Sequence, residues 1–170
     1  MNKAGIICII IYLILLSNIS YAIESDTIAA AIKIDSIYVD KSDRVLIVFS
    51  KQQKIKSYSI GLGFQPVGKK QFEGDGKTPE GLYFIDTKSA QSKFHKNLNI
   101  SYPNNNDKAY AKLQQKNAGG DIKIHGLPNG VEDKHYEVND WTLGCIALKN
   151  KEIDELFKHI RIVCPIYIAP

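Results

Sequence analysis

Short β-branched runs cut by polar turns constrain this chain more than any other feature. Ser36-Ile37-Tyr38-Val39-Asp40 and Val45-Leu46-Ile47-Val48-Phe49 flank the polar break Lys41-Ser42-Asp43-Arg44. Branched and aromatic side chains fit a pleated surface and lose rotamer freedom in a helix, so this pair predicts a hairpin. Residues 54–62 alternate loosely as a third strand, and Leu82-Tyr83-Phe84-Ile85 resumes as another. Asp121-Ile122-Lys123-Ile124-His125 alternates as a half-buried strand halted by Gly126, and residues 160–168 form an apolar run that reads as a buried terminal strand. Helical signals are fewer. Residues 107–116 suit a short helix closed by Asn117-Ala118-Gly119-Gly120, and residues 27–34 suit a helical turn or a lead-in. The strongest helix runs over 150–158, with Asn150 as N-cap and Ile153, Leu156, Phe157 and Ile160 on one stripe. Many short strands with few helices predict a mainly β domain of sandwich or barrel type.

A length of 170 residues suits one such domain. Lys plus Arg exceeds Asp plus Glu by 22 to 18, but the basic residues are scattered, and Lys69-Lys70 is the only adjacent pair. No basic block alternates with aromatics, so no nucleic-acid partner is expected. A mild positive charge suits attraction to an anionic envelope polymer, and equally a charge balance with no partner behind it.

The N-terminus carries Lys3, an apolar run from residue 5 to 16, and the small residues of Ser20-Tyr21-Ala22. That run is shorter than the roughly 20 residues a bilayer crossing needs. It reads as a secretory signal over 1–22, cut after Ala22, with 23–34 as lead-in and 35–170 as the functional domain. The mature chain would then keep no membrane span; an uncleaved anchor is the rival reading. Cys8 leaves with the signal, so Cys145 and Cys164 remain in an oxidising compartment. A disulfide between them is the simplest use. Against it, Cys164 lies in the apolar terminal run, where cysteine behaves as a small inert hydrophobe.

Gly76-Lys77-Thr78 imitates the tail of a phosphate-binding loop, but Gln71 stands where its first glycine belongs. Pro79 and Gly81 also break the helix that would hold the phosphate. His95, His125, His135 and His159 show no metal-ligand spacing, so neither metal nor cofactor is expected. The constellation with chemical content is Ile124-His125-Gly126 followed by Asp140-Trp141-Thr142-Leu143-Gly144-Cys145-Ile146-Ala147-Leu148. A thiol needs a base in reach and access to substrate. His125 at a strand end is a fixed base, and the Gly126 carbonyl is placed to orient the other ring nitrogen. Gly144 lets the backbone bend before the sulfur, so that N–H groups around Thr142, Leu143, Gly144 and Cys145 can face a developing oxyanion. On spacing alone, packing is the commoner explanation of such a cysteine, and a surface or core place that of such a histidine.

These residues resemble the motif of the L,D-transpeptidase catalytic domain (YkuD-type). That motif is a histidine, some 14 to 17 residues, then Ser/Thr-His-Gly-Cys, a hydrophobic residue and Asn or Arg. Here sixteen residues separate His125 from Thr142-Leu143-Gly144-Cys145-Ile146-Ala147. Gly63-Phe64-Gln65-Pro66-Val67-Gly68-Lys69-Lys70, Glu73-Gly74-Asp75-Gly76-Lys77-Thr78-Pro79-Glu80-Gly81, Ser92-Lys93-Phe94-His95, Ile100-Ser101-Tyr102-Pro103-Asn104 and the segment from Gly119-Gly120 through Leu127-Pro128-Asn129 resemble the family's Gram-negative YafK-like branch. The resemblance spans about residues 35–168. Leu143 stands for the motif's second histidine and Ala147 for its Asn or Arg, which points to altered substrate choice.

The resemblance implies a β-sandwich or barrel-like L,D-transpeptidase catalytic domain with a few short helices. It also implies a periplasmic enzyme acting on peptidoglycan stem peptides, with Cys145 as nucleophile and His125 as general base and acid. The acyl-enzyme would pass to an amine, giving cross-links or attached protein. Alternatively it would pass to water, as in branch members that cleave the bond between an outer-membrane lipoprotein and peptidoglycan. A non-catalytic peptidoglycan-binding domain is the third reading. Weaker candidates for substrate contact are His95, Trp141, Lys77 and Lys123, each with packing or solvation as the ordinary alternative. His135, in a polar loop, is a substitute base.

Overall fold

The structure, a computed structural model, describes residues 27–170. The expected signal sequence over 1–22 therefore lies outside the described residues. Eight strands form a single sheet: β1 (Ser36–Asp40), β2 (Val45–Ser50), β3 (Gln53–Ser59), β4 (Gly81–Ser92), β5 (His95–Ile100), β6 (Lys123–His125), β7 (Ile146–Ala147) and β8 (Cys164–Ala169). Their order is β3-β2-β1-β8-β4-β5-β6-β7. β1 and β8 pair in parallel, as do β6 and β7, and the other neighbours are antiparallel.

Of the shapes the sequence left open, the sheet takes the curled one. Gly61, just past β3, bridges Ala147 of β7, and Gly63 bridges Thr142, so the two ends of the sheet meet. Gly61 and Ala147 exchange N–H···O bonds of 3.0 and 2.8 Å. A side chain at Gly61 would put its Cβ 2.2 Å from the Asn139 carbonyl oxygen, so only glycine allows this approach. Closure satisfies edge groups that would otherwise invite pairing with another chain.

The hairpin of β1 and β2 has the expected register, Ile37 opposite Val48 and Val39 opposite Leu46, all four buried. The interior is filled mainly by Ile, Leu and Val from alternate positions of the strands, with Tyr58 and Tyr83 among them. α1 (Asn105–Leu113) starts at Asn104, whose side chain accepts from Asp107 N–H while Asp107 accepts from Asn104 N–H. α2 (Asn150–His159) lays Ile153 and Leu156 onto β5 and β6, each fully buried. Burial of each is worth about 1.5–3 kcal/mol.

Two expectations shift, and one strand was not expected. The cap of α2 is Lys149, not Asn150: Glu152 accepts from Lys149 N–H, and Asp133 accepts from the N–H groups of Asn150 and Lys151. Asn150 instead turns its side-chain oxygen to Leu127 N–H at 2.8 Å. The terminal strand begins at Cys164, because Val163 has φ 66° and breaks the extended run before it. β5 was unmarked in sequence, and it carries the turn that covers the site. Cys145 and Cys164 are both unpaired. Cys164 is buried, which pushes its thiol up to about 11. Among the described residues no helix is long and apolar enough to cross a membrane.

Candidate active site

β6 and β7 run side by side at one end of the curled sheet, with His125 opposite Ala147 and Ile124 opposite Ile146. Side chains alternate between faces along a strand, so Cys145, two residues before Ala147, projects to the same side as His125. Both residues line one cavity of about 530 Å³.

The His125 ring is 3% exposed. Its Nδ1 lies 2.7 Å from the Gly126 carbonyl oxygen. A carbonyl only accepts, so Nδ1 carries the hydrogen and Nε2 keeps the basic lone pair. Phe94 lies against the ring at 4.7 Å between centroids, and Trp141 meets it edge-on at 5.7 Å. Burial among these rings holds the imidazole below its usual value, the Gly126 carbonyl opposes that shift, and the charge of Lys123 adds to it. The base is therefore neutral at neutral pH. A Cβ at Gly126 would fall 2.5 Å from Asn150 Oδ1 and 3.0 Å from His95 Cβ, so the Asn150 side chain would have to give way.

The turn before the sulfur is built by one hydroxyl. Thr142 Oγ1 donates to the Cys145 carbonyl at 2.7 Å and accepts from Gly144 N–H at 3.1 Å. Thr142 N–H in turn donates to Leu62 O. Two of the four N–H groups expected to face an oxyanion are thereby committed, which leaves those of Leu143 and Cys145 for that purpose. Gly144 has φ 129°, and a Cβ there would lie 2.5 Å from the Lys77 carbonyl oxygen. Leu143, 77% exposed, forms an apolar lip on the cavity.

The Cys145 thiol donates to the Asp121 carbonyl at 3.6 Å, and the N–H of Lys123 also faces the sulfur. Burial, and after it the Asp121 charge, pushes the thiol up, while the Lys123 N–H and the charges of Lys123 and, more weakly, Lys70 pull it down. The net shift is upward. The resting pair is thus neutral thiol and neutral imidazole, and attack requires the thiol hydrogen to swing from Asp121 toward His125.

Trp141, Thr142 and Leu143 line the cavity with His125 and Cys145. His95, Lys77 and Lys123 do not place their side chains there. His95 Nε2 is tied to Asp154 on α2 at 2.8 Å, beside Lys96, which pairs with the same carboxylate. Lys77 meets the site only through its main-chain oxygen behind Gly144. Lys123 pairs its ammonium with Asp121 and offers the sulfur its N–H. His135 lines a separate hollow of about 380 Å³ that shares only Trp141 with the first. Phe94, Lys70, Glu73 and Asp121 also line the cavity, and sequence reasoning assigned them no role. Their segments were marked only by glycines and by family resemblance. Among the described residues no group of three or more His, Cys, Asp or Glu is placed to hold a metal ion.

Comparison with known proteins identifies the fold and the family. The family model of the L,D-transpeptidase catalytic domain (YkuD) matches residues 34–168. YafK of Escherichia coli (strain K12) is 30% identical over 130 residues, covering 73% of this chain and 46% of its own length. Among solved structures, the helical cell shape determining protein Pgp2 from Campylobacter jejuni is 26% identical with a TM-score of 0.64, covering 81% of this chain and 48% of that one. Bd1075 from Bdellovibrio bacteriovorus is 28% identical with a TM-score of 0.58, covering 84% and 50%. The chain spans about half the length of these relatives.

Proposed function

This chain belongs to the L,D-transpeptidase catalytic-domain (YkuD) family, and from that premise we propose that it is a cysteine acyltransferase of peptidoglycan stem peptides, exported to the cell envelope. The observation that carries the proposal is the shared cavity of Cys145 and His125, with His125 Nδ1 held by the Gly126 carbonyl so that Nε2 is the free base. The envelope location rests on the signal-like residues 1–22.

In the first half-reaction His125 Nε2 takes the thiol proton and the sulfur attacks a stem-peptide carbonyl, forming a C–S bond. The N–H groups of Leu143 and Cys145 receive the oxyanion. As the C–N bond breaks, His125 returns its proton to the leaving amine. In the second half-reaction an acceptor amine attacks the thioester, loses a proton to His125, and frees the sulfur, which takes that proton back. Water in place of the amine gives hydrolysis, including release of a lipoprotein from its stem peptide. Leu143, exposed at the lip where the family motif has histidine, points to altered substrate choice.

Incubation of the mature chain with defined muropeptides and with lipoprotein-linked peptidoglycan, followed by mass analysis, tests the assignment. Cross-linked dimers indicate ligation, and freed stems or released lipoprotein indicate hydrolysis. A carbapenem should add its mass to the wild type and not to Cys145→Ala; no adduct on the reduced wild type would favour a binding domain without catalysis.

A further inference from the structure

We infer that Lys70 is a buried cation that biases the cavity around Cys145 toward the thiolate and the oxyanion formed after its attack. The inference rests on the acyl-transfer reading above and adds a residue to it.

The charged or titratable groups around the sulfur come from three places. His125 and Lys123 stand on β6, Asp121 stands just before it, and Lys70 and Glu73 stand on the loop between β3 and β4. Their solvent contact differs sharply. Asp121, 82% exposed at its side chain, pairs with Lys123, and the charges of these two, each felt by the sulfur more than that of Lys70, pull it in opposite directions and offset one another. Glu73 is exposed and takes Asn117 Nδ2 at 2.8 Å. Lys70 is 3% exposed and lines the cavity. A buried charge acts across a low dielectric and is felt more strongly at equal distance.

Its counterion stands outside the cavity lining. Lys70 Nζ bonds Asp75 Oδ1 at 2.8 Å and the Phe72 carbonyl at 3.0 Å. Asp75 also accepts from the N–H groups of Gln71, Phe72 and Lys77 at 2.7, 2.9 and 3.1 Å, and it is not among the residues lining the cavity. Its negative charge is spread over four donors, and Lys70, unlike Asp75, is a lining residue of the cavity. β7 adds no charge, since Ile146 and Ala147 are fully buried and apolar. Lys70 also acts on the Cys145 thiol in the direction of the thiolate.

The test is alkylation of Cys145 by iodoacetamide across pH in the mature chain, located by peptide mass, with folding checked by urea unfolding. Lys70→Met should raise the midpoint by about half a pH unit, so that alkylation at pH 8 is roughly threefold slower. Lys70→Arg should restore the wild-type curve. Asp75→Asn, which removes the counterion, should move the midpoint the opposite way. If Lys70 merely staples the loop, Lys70→Met and Asp75→Asn move it in the same direction, and the inference fails; an unmoved midpoint in Lys70→Met overturns it as well. A wild-type sulfur that never alkylates refutes this inference and the acyl-transfer reading together. These shifts without any acyl adduct would uphold the role of Lys70 and refute acyl transfer alone.

Discussion

Replacing Thr142 by valine isolates the hydroxyl that shapes the turn before Cys145. Thr142 is buried, and valine matches its shape, so the change removes hydrogen bonds and leaves no cavity. Two main-chain groups lose their partner: the Cys145 carbonyl, bonded at 2.7 Å, and the Gly144 N–H, bonded at 3.1 Å. Each unpaired buried group costs about 1–3 kcal/mol, so Thr142→Val should lose about 2–6 kcal/mol of stability. Thr142→Ser keeps both bonds and loses one methyl, a cost of about 1 kcal/mol. Urea unfolding at matched slope measures the difference, and carbapenem acylation of the same proteins reports the turn's effect on the sulfur. Acylation should fall at least tenfold in the valine variant and stay near wild type in the serine variant. Equal stability of the two variants would refute the hydroxyl's role.

Gly144→Ala meets the Lys77 carbonyl at 2.5 Å in a backbone conformation of φ 129°, and should lose about 2 kcal/mol or more in urea unfolding together with most carbapenem labelling. Because burial holds His125 below its ordinary 6.5, the unprotonated base survives into mild acid. The acylation rate should therefore fall with decreasing pH at a midpoint below 6.5. Phe94→Ala, which opens the ring to water, should move that midpoint upward; a wild-type midpoint above 6.5 contradicts the assignment. Asp140 accepts from Arg44 Nη2 at 2.7 Å and from Leu62 N–H at 2.9 Å, tying the β1–β2 turn to the segment before Trp141. Asp140→Ala should cost about 1–3 kcal/mol, read from the urea midpoint, and an unchanged midpoint would count against the tie.

Where side chains repeat at the period of their element, the fold was legible. The β1–β2 hairpin and α2 stand nearly where the patterns put them. β5 hid because His95-Lys96-Asn97-Leu98-Asn99-Ile100 is mostly polar, and its strand character comes from pairing with β4 and β6 on either side. Residues 160–163 misled in the other direction, since an apolar run says nothing of a single left-handed residue such as Val163. At the site, the spacing from His125 to Cys145 and the glycines beside them were visible. Lys70, Phe94 and Asp121 were not, because each reaches the cavity only when distant segments fold together. His95 drew notice as a histidine beside an aromatic residue, yet Asp154, 59 residues on, holds it.

β8 comes last among the strands in chain order yet lies between β1 and β4. A chain emerging during synthesis can zip its early hairpin, but β1 and β4 have no strand between them until residues 164–169 are made, and before then the two halves of the sheet are joined by the bridges at Gly61 and Gly63. Contacts of such long sequence separation form late and slowly. Any truncation that removes those six residues should therefore take away the whole cavity at once, however far from it the cut is made.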